Sequence, residues 1–198
     1  SKLLIEHIDK LTNEDKEFCS EIVLSTMSNL FHDDYHYRIS DGIEASIHAI
    51  PALITEFPGE VEEFISCIIF VLLDKTSIGS YKRVCDYVIE SIRNSNLWTN
   101  HEPVAQTILF GYIKLAPIYK DLCNKTYEQQ REQGNWYPIS RSEILEELEG
   151  NHLNSVFENN SFEIKKLNLL DIHDLEIVLQ LIPSNTQDKA HLNIYKVI

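Results

Sequence analysis

The sequence predicts an all-α chain of stacked antiparallel helix pairs, an α-solenoid segment. Three observations predict it. Apolar residues recur at helical spacing through most of the first two-thirds, the connections between periodic stretches are short and polar, and no period-two strand or hairpin signal appears in that region. Short connections force neighbouring helices to run antiparallel, so the natural unit is a helical hairpin.

A first helix is expected over residues 2–10. Thr12-Asn13-Glu14-Asp15 then carries a start signal, with Thr12 or Asn13 as cap and acids in the first turn. The helix that follows places Phe18, Ile22, Met27 and Leu30 on repeating faces, and residues 32–40 read as a polar, aromatic connection. After Asp41-Gly42 the pattern resumes with Ile43, Ile47, Ile50, Leu53 and Ile54. Pro51 falls within it and either kinks that helix or marks its end, because proline lacks the amide donor.

Phe57-Pro58-Gly59-Glu60 closes the segment, and Pro58 sets up a helix over residues 61–73. Its apolar run, Phe64 to Leu73, is interrupted only by Ser66 and Cys67 and reads as a buried helix. Residues 81–92 form an amphipathic helix with Val84, Tyr87, Val88 and Ile92 in phase. Trp98 to Pro103 reads as a loop, with Pro103 in the first turn of a helix expected to end near Leu115. The pair over residues 41–73 fits a repeat of about 35 residues, the scale of a HEAT-like or armadillo-like unit.

The character changes after Asp121. Residues 127–135 are polar, a solvated helix end or linker. Residues 142–148 form a short acidic helix with Ile144, Leu145 and Leu148 on one side, and residues 151–161 are loop-like. Helix returns over residues 167–181, Ile182-Pro183 breaks it, and a last helix is expected from Thr186. The expected organisation is therefore stacked hairpins over 1–121, a polar linker or insertion over 122–166, and a helical pair over 167–198 that continues the array.

Composition excludes some functions. A chain of 198 residues, 43% of them apolar, can bury a core. The formal charge of −14 argues against a nucleic-acid surface, which needs clustered Lys and Arg. No apolar run reaches the roughly 20 residues that span a bilayer, and a charge arrives too early in Ser1-Lys2-Leu3-Leu4-Ile5-Glu6-His7 for a signal peptide. Cys19, Cys67, Cys85 and Cys123 are widely spaced on apolar helical patterns, so buried free thiols in a reducing cytoplasm are expected. Both ends, including the apolar-rich Leu192 to Ile198, are expected to be cuts within a longer polypeptide.

The densest chemical cluster is Phe31-His32-Asp33-Asp34-Tyr35-His36-Tyr37, whose imidazoles and carboxylates are metal-ligand types. With His7 upstream and Asp86 downstream, His32-Asp33 resembles the ligand dyad of HD-type metal-dependent phosphohydrolases. The chain departs from that pattern by running on into Asp34-Tyr35-His36, where the family's helix continues in small residues and glycine. The competing reading is a polar turn between helices. A second dyad, His173-Asp174, follows Asp171, which reads as a helix N-cap with Asp174 at the third position and His173 exposed. No GxSxG elbow or Walker loop occurs, and of the six isolated glycines all but Gly111 lie at or near turns or boundaries. Tyr35, Tyr37, Trp98, Trp136 and Tyr137 sit in connections, where aromatics act either as binding anchors or as plugs between repeats.

Residues 41–45, Ala49-Ile50-Pro51-Ala52-Leu53-Ile54, Phe57-Pro58 and Leu179 to Thr186 together resemble the helical-repeat regions of large bacterial STAND-type NTPases, including those of anti-phage defence. The resemblance covers about half the chain, and the NTPase motifs themselves are absent from it. It implies a sensor or scaffold role, with no catalytic residue or cofactor in this segment and any enzymatic work done elsewhere in the parent protein. The expected function is thus non-catalytic binding of a protein partner, or of other parts of the same chain, in the cytoplasm.

Overall fold

The computed structural model describes residues 10–12, 14–15, 18, 39–54, 58–73, 80–134, 141–148 and 170–182. Every element among them is helical: α1 (Ile39–Leu53), α2 (Pro58–Leu73), α3 (Ser80–Asn94), α4 (Leu97–Asn100), α5 (Glu102–Glu132), α6 (Arg141–Leu148) and α7 (Ile172–Leu181). The all-α expectation is met. The chain divides into two compact units, residues 1–108 and 109–198, and the division falls within α5.

In the first unit, α1 packs chiefly on α3, and α2 also packs on α3, while α1 touches its sequence neighbour α2 less. Ile47, Ile50 and Leu53 form the buried stripe of α1, spaced three residues apart as a helix face requires. Pro51 lies within the last turn of α1. The helix ends two residues later, and the Ile54 N–H still reaches the Ile50 carbonyl at 2.9 Å. Pro51 forgoes only its own N–H bond to the Ile47 carbonyl one turn back, and the helix ends soon after it.

Helix α2 starts at Pro58 itself, three residues earlier than expected, with the ring at the first helical position, where an amide donor would have no intrahelical partner. Its interior is the buried helix that the apolar run predicts: Phe64, Ile65, Ile68, Ile69, Leu72 and Leu73 are all core residues. Ser66 does not spoil it, because its hydroxyl donates to the Glu62 carbonyl one turn back at 2.8 Å. Val84, Val88 and Ile92 of α3 are buried as expected, whereas Tyr87, at the edge of that face, is exposed.

The stretch expected as a loop before Pro103 contains a turn of helix, α4. Asn96 makes it by adopting φ 50° and ψ 35°, the left-handed region that Asn tolerates better than most residues. Its carbonyl then accepts from Thr99 and Asn100 N–H at 2.9 Å, and Leu97 is fully buried beneath. His101 follows outside the helical region of backbone space, and its carbonyl accepts the Val104 N–H at 3.1 Å as α5 begins.

Helix α5 does not stop near Leu115. It continues through Pro117 to Glu132 and ends at Gly134, whose φ of +69° is the left-handed stop that glycine adopts without strain. The stretch expected to be a polar linker after residue 121 therefore begins as exposed helix. In the second unit, Leu109, Tyr112, Ile113, Leu115, Ala116 and Tyr119 of α5 are buried. So are Leu148 of α6 and Ile177, Val178 and Leu181 of α7. Ile144 of α6 is half-buried and Glu146 and Glu147 are exposed, as the acidic-helix reading requires.

Candidate functional site

The second unit holds a long-range polar cluster, and local sequence signals build half of it. Asp171 caps α7 in extended backbone: its Oδ1 accepts the Asp174 N–H at 2.9 Å, and Asp174 Oδ2 accepts the Asp171 N–H at 3.1 Å. This reciprocal capping box satisfies two backbone donors at the helix start, and both carboxylates lie at the positively polarised end of α7. His173 points outward, with its Nδ1 3.4 Å from Glu176 Oε2. The cap, the third position and the exposed histidine were all legible in the sequence.

The other half was not legible. Asp174 is only 2% exposed, and its Oδ1 accepts a 2.8 Å hydrogen bond from the hydroxyl of Tyr112, a residue with no exposed surface. Two turns further along α5, Lys120 Nζ lies 2.6 Å from Asp171 Oδ2. The start of α7 is thus fastened to α5 by a buried phenol–carboxylate bond and by a partly exposed ion pair. The chemistry shown by these bonds is that of a joint between two helices. We find no match to a protein family, to a curated protein or to a solved structure.

The residues singled out in the sequence fall as follows. Trp98 lies in α4 and is half-buried. Asp86 lies on α3 and is exposed. Tyr35, Tyr37, Trp136 and Tyr137, and the candidate metal ligands His7, His32 and Asp33, lie outside the described residues. Among the described residues, no group of three or more His, Cys, Asp or Glu side chains is placed to hold a metal ion. Cys85 is buried, and Cys67 and Cys123 are half-buried, none of them in a disulfide.

Exposed apolar side chains are a feature that sequence reasoning missed. On α7, Ile172 is 70% and Leu179 43% exposed, seven residues apart and so on one face, with half-buried Leu175 between them. Tyr127 of α5 is 69% exposed, and Phe18 is 63% exposed rather than sitting in a core stripe. Helical periodicity alone could not locate Ile172 and Leu179, because α7 is apolar on more than one face. Among the described residues, no helix is long and apolar enough to cross a membrane.

At the other end of the described chain, Thr12 makes the local bonds of a helix cap with Asp15. Its hydroxyl donates to Asp15 Oδ2 at 2.6 Å and accepts the Asp15 N–H at 3.2 Å. That hydroxyl bond, helped by a second from the Thr12 N–H, holds the Asp15 carboxyl below the usual carboxylate range.

Proposed function

We propose that this segment is a non-catalytic protein-interaction, sensor or scaffold module of a larger, bacterial, cytoplasmic protein. In this reading its stacked helices form part of a HEAT- or armadillo-like solenoid and bind a protein partner or other parts of the same chain. The observation that carries the proposal is the pair Ile172 and Leu179. Two large aliphatic side chains stand in solvent on one face of a helix whose opposite face is fully packed. Exposed aliphatic and aromatic groups on rigid helices are the raw material of protein interfaces, because covering them removes apolar surface from water at little cost in conformational freedom. The net charge of −14 supports a protein partner over a nucleic acid.

The resemblance to STAND-type NTPase repeats supports placing an NTPase module upstream in the parent protein. Sequencing the reading frame on both sides tests that part. A GxxxxGK[ST] loop upstream with further helical repeats downstream agrees with it, and flanking sequence with neither refutes it.

The interaction itself is tested by placing a photo-crosslinking side chain at Ile172, Leu179 and Tyr127, and at the exposed control positions Glu44 and Glu63, in the parent protein. The expected result is one defined crosslinked species from the first set and none from the controls. Equal labelling from both sets refutes the surface. Stoichiometric transition metal in the purified protein, lost on His32→Ala, overturns the non-catalytic reading in favour of an HD-like phosphohydrolase using His7, His32, Asp33 and Asp86.

A further inference from the structure

We draw no further inference here: the strongest candidate, the exposed apolar stripe of Ile172 and Leu179 on α7, belongs to the surface already used in the proposed function, and nothing in the structure shows what covers it.

Discussion

Removing the Tyr112 hydroxyl tests the joint between α5 and α7 directly. The phenol donates to Asp174 at 2.8 Å, Tyr112 has no exposed surface, and Asp174 is 2% exposed. Water therefore cannot replace the bond without entering the core. A hydrogen bond to a carboxylate contributes about 1.5–3 kcal/mol, so Tyr112→Phe is expected to cost about 2 kcal/mol. Asp174→Ala removes the same bond and also the Oδ2 that accepts the Asp171 N–H, half of the capping box. The lost cap adds about 1 kcal/mol, for about 3 kcal/mol in all. The double variant should cost about the same as Asp174→Ala alone, because its bond is already gone, which makes the coupling about 2 kcal/mol. Urea unfolding of the four proteins at neutral pH, followed by helical circular dichroism, measures each difference. Additivity within about 0.5 kcal/mol would show that the two side chains do not interact, and the account of the joint would fall.

Three further predictions concern single turns. Asn96 sits at φ 50°, so Asn96→Ala should lower stability by about 1 kcal/mol while Asn96→Gly is near neutral; equal effects in urea unfolding would refute the backbone argument. Gly134→Ala meets no neighbouring atom within 4 Å, yet its φ of +69° makes the substitution cost about 1 kcal/mol, readable as amide exchange spreading into the last turn of α5. Unchanged exchange there would count against the glycine stop. Asp15 should titrate below the ordinary aspartate range, and Thr12→Ala should raise it. Since its folded value is the depressed one, the cap's contribution is present above the unfolded-state pKa and fades as pH falls through the folded one. A carboxyl NMR titration identical in both proteins would refute this.

Signals confined to one turn of chain were readable in advance, and those that depend on a distant partner were not. Thr12-x-x-Asp15 and Asp171-x-x-Asp174 each place an oxygen acceptor three residues from a backbone donor, and both form as written. The run Phe64 to Leu73 is long enough to specify a buried helix whatever it packs against. By contrast, nothing near Asp174 announces Tyr112, which lies 62 residues earlier. In sequence, Asp174 looks like a solvated cap residue, and only the packing of α7 turns it into a core carboxylate. Trp98 falls in a turn of helix rather than the expected loop for a related reason. The turn of helix α4 depends on one left-handed residue, Asn96, and on burial of Leu97, neither of which leaves a periodic trace.

The run of α5 past Leu115 shows how a helix can outlast its hydrophobic pattern. Pro117 costs about 3 kcal/mol in a helix interior, and on propensity alone the helix would end before it. The flanking residues Leu115, Ala116 and Tyr119 are all buried, however, and letting the chain turn away at Pro117 would pull them from the core. Burying one large aliphatic or aromatic side chain contributes about 1.5–3 kcal/mol, so two such residues are enough to offset the proline. Once past it, the chain needs no second nucleation, and each further residue adds one backbone hydrogen bond. Residues 120–132 are good helix formers for the most part, supported by the Asp121–Lys125 contact at 2.6 Å. The helix then stops where a residue can adopt positive φ, at Gly134. Its last turns are therefore held by propagation from a buried segment rather than by a core of their own. That is why apolar spacing, the signal read from the sequence, ends about five turns before the helix does.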